Sequence, residues 1–168
     1  MITVFTSVEA DVDMDAVAWA SYVYFEGTNS DMLIGTCAQK AGIIGTIGIS
    51  ALTRTITCLE KMNTSLFLEV EMICDNLYAV NCINKWYHQW DKTDKRPRWT
   101  KSDGSPVKNR PQIEELHRLV EKHKINLTYE QRNPMSLHTS KAKNEIFYQM
   151  SCGNLDFKLK LRDVTLLD

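Results

Sequence analysis

Apolar and polar side chains alternate from the start of the chain, Ile2-Thr3-Val4-Phe5-Thr6, and this period predicts a strand with one buried face. Glu9-Ala10-Asp11-Val12-Asp13-Met14-Asp15 then predicts an acidic loop. Val17 to Phe25 is rich in Tyr, Val and Trp and predicts a second strand, turning at Gly27-Thr28-Asn29, and Met32 to Cys37 predicts a third. Strands joined by such short turns imply an antiparallel meander. Ile49, Leu52, Ile56 and Leu59 recur at helical spacing, so a helix is expected from about Ile47 to Met62, although Thr and Gly are poor helix formers. Leu66 to Cys74 is apolar enough for a buried strand. Leu77 to Trp90 carries a second helical stripe through Val80, Ile83, Trp86, Tyr87 and Trp90.

Polar residues, Pro and Gly fill Asp91 to Arg110. Pro111 suits the first turn of a helix whose stripe is Ile113, Leu116, Leu119 and Val120. Ile125, Leu127 and Tyr129 alternate as a fifth strand, which Arg132-Asn133-Pro134 interrupts. A last helix is expected to about Cys152, with Gly153 to stop it. Leu155, Phe157, Leu159 and Leu161 then alternate with Asp156, Lys158, Lys160 and Arg162, which suits either an added strand or a partner-binding segment. One domain is expected over residues 1–153, with an extension over 154–168. Strand–helix–strand crossovers require parallel pairing, so the class is α/β, a mixed sheet with helices on both faces.

Composition narrows this further. A chain of 168 residues is long enough to bury one real core, and no apolar run is long enough to span a bilayer. No basic segment followed by an apolar stretch opens the chain, so a cytoplasmic protein is expected, of a bacterium or of a virus that infects one. Cys37, Cys58, Cys74, Cys82 and Cys152 are odd in number and unclustered, which favours free thiols over a zinc site or disulfides. Residues 1–75 hold Lys40, Arg54 and Lys61 against ten acidic residues, while the remainder has a net charge of +6. That asymmetry suggests a basic face for an acidic partner, although surfaces also distribute charge unevenly without consequence.

Four segments carry a resemblance. Val4-Phe5-Thr6-Ser7 resembles the first strand of bacterial-type ribonuclease H. Cys74-Asp75-Asn76-Leu77-Tyr78-Ala79-Val80 resembles a later strand end with its aspartate and the helix behind it. Ile83-Asn84-Lys85-Trp86-Tyr87-His88-Gln89-Trp90 resembles the family's Trp-bearing helix, and Lys92 through Trp99 to Pro106-Val107-Lys108-Asn109 its basic handle. The specific part is Asp75 to Lys124. The resemblance implies a ribonuclease H-like fold built on a mixed five-stranded sheet.

It also implies four carboxylates holding two magnesium ions that activate water. Asp75 matches one of them. Ser7, Ala51 and Lys143 stand at the other three, and Asn133 stands at the family's mobile histidine. One carboxylate beside a lysine ammonium is a poor magnesium site. The expectation is therefore a catalytically inactive pseudo-ribonuclease H without cofactors, Asp75 being vestigial. Glu9, Asp11, Asp13 and Asp15 have the alternate spacing of a calcium loop but lack its glycine and terminal glutamate, so a solvated loop is preferred to a cation site. His138 and Glu145 are further candidates near the centre, with surface or core roles the plainer reading.

Basic groups neutralise phosphates and aromatic rings stack on bases. Nucleic acid, as RNA–DNA hybrid or structured duplex, is therefore the expected partner of Trp86, Trp90, Lys95, Arg96, Arg98, Trp99, Lys101, Lys108 and Asn109, with Thr46 at a position that meets a DNA phosphate in the family. For Trp86 and Trp90, core packing is an equal alternative; Trp99, outside the helical stripe, is the better ligand candidate. Two other classes stand beside this one. The first is a protein-interaction or inhibitor module that contacts a nucleic-acid enzyme through the scaffold, and the second is an active nuclease with relocated ligands.

Overall fold

The alternation that opens the chain forms a strand, and it runs further than expected: β1 spans Ile2–Asp11. The computed structural model describes residues 1–11, 16–27, 30–39, 44–62, 69–92, 97–131 and 162–165. β2 (Ala16–Phe25) and β3 (Ser30–Gln39) complete an antiparallel meander. The expected acidic loop is corrected at its start. Glu9 and Asp11 belong to β1 and pair with Ala18 and Ala16. The alternation Val8-Glu9-Ala10-Asp11 satisfies a strand as well as a loop, and ladder pairing decides between them. Asp13 and Asp15 lie outside the described residues.

α1 (Ile44–Lys61) follows. Its threonines do not break it, because each of three hydroxyls turns back on the preceding turn. Thr53, Thr55 and Thr57 donate to the carbonyls of Ile49, Ala51 and Thr53 at 2.8–2.9 Å. Ile49, Leu52, Ile56 and Leu59 are fully buried. They lie against β1 and β2, where Ile2, Val4, Thr6 and Val8 are buried too. A chain of buried hydroxyls crosses this interface: Thr6 to Ser21 at 2.8 Å, and Ser21 to Thr55 at 2.7 Å. Pairing every one of these groups removes the cost of burying them.

β4 (Val70–Cys74) is parallel to β1, and β5 (Asn126–Tyr129) is parallel to β4. β6 (Arg162–Thr165) pairs antiparallel with β3, giving the order β5-β4-β1-β2-β3-β6. The sheet is therefore mixed, as expected, and carries six strands. Leu66 to Leu68, the expected last helix and the alternating stretch from Leu155 to Leu161 lie outside the described residues.

The single helix expected from Leu77 to Trp90 is three pieces: α2 (Leu77–Asn81), a π-helical turn (Cys82–Trp86) and α3 (Tyr87–Asp91). The Asn84 side chain donates to the Leu127 carbonyl at 2.7 Å and ties that turn to β5. α4 (Arg110–Lys122) has Pro111 in its first turn and buries Ile113, Leu116, Leu119 and Val120. Its C-terminal end is fastened to α1 through Glu60, which accepts from Lys122 at 2.8 Å and pairs with His123 at 2.6 Å. These two contacts hold the Glu60 carboxyl below its usual range.

α1 and α2 meet at Gly48. A β-carbon there would come within 2.6 Å of Asn76 Cγ and 3.0 Å of Ala79 Cβ. Asn76 is not free to move away, because its Oδ1 caps α2 by accepting from Ala79 N at 2.9 Å. Gly48→Ala gains about 1 kcal/mol of helix propensity. It also forces overpacking worth about 1–3 kcal/mol and disturbs a cap worth about 1 kcal/mol. A net loss of about 1–2 kcal/mol is expected in urea unfolding, and an unchanged or raised midpoint would show that the two helices separate cheaply.

Candidate nucleic-acid interface and the Asp75 centre

Trp99 and Arg110 lie behind the hairpin whose Lys101, Ser102, Val107, Lys108 and Asn109 make one wall of the candidate interface. Trp99 has a left-handed backbone, φ 58°, and only 4% of it is exposed. Its amide donates to the Trp90 carbonyl at 2.9 Å, and its own carbonyl accepts from Val107 N at 2.8 Å. Tyr87 meets its ring edge-on at 5.5 Å, and the Arg110 guanidinium lies 4.8 Å from its centroid. The ring is thus the anchor of the hairpin between Thr100 and Pro106, which Asp103 tightens by accepting from Ser105 N and Oγ at 2.9 and 2.6 Å. This corrects the expectation that Trp99 is the better ligand candidate: a ring buried on all sides offers no face to a base.

The hairpin leans towards α2 and α3 across a groove of about 600 Å³ lined by Tyr78, Trp86, Gln89, Trp90, Lys101, Ser102, Val107, Lys108 and Asn109. Trp86 is half-buried there, its ring 5.7 Å from Tyr78 and 5.8 Å from Trp90. Lys101 and Lys108 are exposed. Burial, more than the neighbouring Cys82, pushes the Tyr78 hydroxyl up to about 12, and burial pushes the Cys82 thiol up to about 11. Both therefore stay protonated at neutral pH. Asn109, left-handed at φ 62°, holds its side chain against the Tyr78 hydroxyl.

The groove thus gathers Trp86, Trp90, Lys101, Lys108 and Asn109 from the residues picked out in the sequence. It does not gather Arg98, whose guanidinium is spent on Asp91, donating to its carbonyl at 2.8 Å and its carboxylate at 3.0 Å. Thr46 is half-buried on the first turn of α1 and does not line the groove. Lys95 and Arg96 lie outside the described residues. Tyr78, Gln89, Ser102 and Val107 were missed. The signal for Tyr78 was hidden by the π-helical turn, whose extra residue brings Trp86 over it where regular helical spacing would bring Lys85.

Where β4 ends against the middle of β1, the register Thr6↔Cys74 sets Ser7 beside Asp75. Ser7 Oγ donates to Asp75 Oδ2 at 2.6 Å, and Val8 N donates to Oδ1 at 3.0 Å. The Asp75 amide in turn donates to the Thr6 carbonyl at 3.2 Å. Ser7 and Ala51 are both fully buried. Asn133 and Lys143 lie outside the described residues.

Residues 22–146 match the family described as RNase H. The chain belongs to the ribonuclease H family. It is 26% identical over 125 residues to a ribonuclease H of Nitrosospira multiformis, a match covering 74% of this chain and 73% of that protein. To a ribonuclease H of Tropheryma whipplei it is 31% identical over 74 residues, 44% of this chain and 40% of that protein. The fold is shared with LC9-RNase H1, described as a type 1 RNase H with the type 2 active-site motif. There the TM-score is 0.67 at 11% identity, over 96% of this chain and 76% of that one. The ribonuclease H-like fold expected from the resemblance is therefore the fold of this chain.

These relatives overturn one expectation. They carry the name of an enzyme over most of the matched chain, so ribonuclease H membership argues against reading the protein as a non-enzyme. That expectation rested only on Ser7, Ala51 and Lys143 at the positions where the resemblance implies carboxylates. Among the described residues, Asp75 is the carboxylate held between Ser7 and Val8, and no three Asp, Glu, His or Cys side chains converge to hold an ion. No helix among the described residues is long and apolar enough to cross a membrane.

Two outcomes follow from this geometry. Trp99→Ala removes a buried anchor and is expected to cost about 3–5 kcal/mol of stability, read in urea unfolding; a loss below about 1 kcal/mol would return the ring to the surface. The second concerns His117, which stacks on Tyr87 with centroids 3.5 Å apart and planes 5° apart. Its buried Nε2 has no hydrogen-bond partner among the described residues, Glu121 Oε1 standing 3.8 Å away. Desolvation holds it below its ordinary value of 6.5, opposed by Glu121 and Asp91 and assisted by His88. Above pH 6.5 the ring is neutral whether folded or unfolded, and the stability it contributes is fully present. As pH falls towards the folded value, the unfolded chain takes up the proton first and that stability is lost. His117→Phe should keep the stack and flatten that part of the stability–pH curve; an unaltered curve would refute the assignment.

Proposed function

We propose that this ribonuclease H-family chain binds an RNA–DNA hybrid through the groove between α2–α3 and the Thr100–Pro106 hairpin. One strand stacks on the half-buried Trp86, which the buried Trp90 backs, and its phosphates meet Lys101 and Lys108. The observation that carries this reading is the juxtaposition of two indole rings with exposed ammonium groups in one groove. Asp103, the acidic residue nearest Lys101, is already engaged by Ser105, and Lys108 makes no ion pair among the described residues. Rings supply sequence-tolerant stacking and cations supply counterion release, the two terms needed by a protein that acts on any sequence. The hydrolysis for which the relatives are named is the reaction to be sought at Asp75, the carboxylate at the end of β4 beside the start of α2.

A labelled hybrid titrated across a salt series, with magnesium and then manganese, tests both parts. Trp86→Ala should weaken binding by about 1–3 kcal/mol, or roughly 5- to 150-fold. Lys108→Ala should reduce the slope of log affinity against log salt by about 0.9. Hybrid, duplex and single strands all failing to bind the wild-type chain would overturn the reading and favour a protein partner. Product in the same tubes that vanishes in Asp75→Asn would place the reaction at that carboxylate.

A further inference from the structure

A second groove, of about 330 Å³, runs between α1 and α4 and is separate from the one above. α1 gives it Ile49, Ser50, Thr53 and Arg54, and α4 gives Pro111, Gln112 and Glu115. Its chemistry is uneven. The exposed Pro111 ring makes the groove's apolar floor, packed over the fully buried Ile49. Glu115 brings the groove its negative charge, but Arg118 holds both its oxygens in a fork, at 2.8 and 2.7 Å. Thr53 spends its hydroxyl proton on the Ile49 carbonyl. Arg54 is exposed, and the side chains of Arg54, Ser50 and Gln112 make no hydrogen bond or ion pair among the described residues. The other two arginines of α4, Arg110 and Arg118, are both paired within that helix. A guanidinium, a hydroxyl and an amide without partners thus stand over an apolar floor whose acid is neutralised.

That set suits a nucleotide. A phosphate takes the guanidinium and the hydroxyl, a sugar or base lies on the Pro111 ring, and the volume has room for about one such unit. The chain connects the two grooves directly. Lys108 and Asn109 line the first, Pro111 and Gln112 line the second, and Arg110 between them covers Trp99. We propose that the α1–α4 groove holds a further nucleotide of a strand bound in the aromatic groove, with Arg54 as its phosphate contact. This rests on the nucleic-acid reading of the first groove and extends it beyond the aromatic rings.

Arg54→Gln is the test, with Lys61→Gln as its control, an exposed lysine at the far end of the same helix. If Arg54 meets a phosphate, its loss should lower the salt slope of hybrid binding by about 0.9 and weaken affinity about eight-fold at 0.1 M salt. Lys61→Gln should do less on both measures. Equal effects from the two variants would overturn the second site, while a loss in Trp86→Ala would leave the first groove standing. Should the wild-type chain bind no nucleic acid, the aromatic-groove reading fails, and titration with thymidine monophosphate followed by amide NMR decides this site by itself. Shifts centred on Ser50, Arg54 and Gln112 would then support a nucleotide site, and their absence at 10 mM ligand, a concentration of order ten times a weak site's dissociation constant, would overturn it.

Discussion

Everything near the candidate site depends on how the end of β4 is tied to the middle of β1. The Asp75 carboxylate accepts from Ser7 and from the Val8 amide, and the Asp75 amide donates back to Thr6. The carboxylate thus continues the parallel ladder by one residue after β4 has ended. Charge-assisted bonds of this kind are stronger than the neutral ladder bonds they replace. The next residue, Asn76, caps α2 and presses on Gly48 of α1. Strand tip, helix start and helix–helix approach are therefore fixed within two consecutive residues. Any side chain larger than hydrogen at position 48 would reopen all three.

From that corner the structure propagates to the groove. α2 is short, and the π-helical turn behind it rotates the following residues, so that Trp86 comes over Tyr78 and Trp90 over Trp86. Asn84 holds the turn to β5. Trp99 then locks the hairpin to α3 through the Trp90 carbonyl, and Arg110 closes over it at the start of α4. A buried tryptophan with a left-handed backbone is a strained choice for a loop. It is sustained by ring contacts and two backbone hydrogen bonds, and the result is a loop stiff enough to hold Lys101 and Lys108 opposite the indoles.

The sequence made the strand order legible because each strand is bounded by turn residues and each helix shows its stripe. The threonines of α1 were a weak obstacle, since helical spacing of Ile49, Leu52, Ile56 and Leu59 outweighs propensity when the face is buried. The reach of β1 through Glu9 and Asp11 was not legible, because alternating acids serve an edge loop and a strand equally well. At the site, five of the expected binding residues do line one groove, which charge and aromatic clustering could reveal. Tyr78 could not be found that way, since its neighbour depends on a helical irregularity that no spacing rule encodes. Trp99 was misjudged for the opposite reason: a tryptophan in a polar segment looks exposed until the fold supplies aromatic neighbours.

The carboxylate and the groove also bear on each other. Asp75 stands just before the Asn76 cap of α2, and Tyr78 lies in the first turn of that helix. A duplex gripped along Tyr78 and Trp86 is therefore held next to the end of β4 whether or not Asp75 reacts with it. On the proposed function, binding energy from the rings and lysines would be gathered at a fixed offset from Asp75, the way remote contacts position a scissile bond. The offset is set by the Asn76 cap and the Gly48 contact, neither of which touches a ligand. The fold thus makes the geometry of the grip a consequence of packing between α1 and α2, and that packing constrains the chemistry more tightly than any residue in the groove.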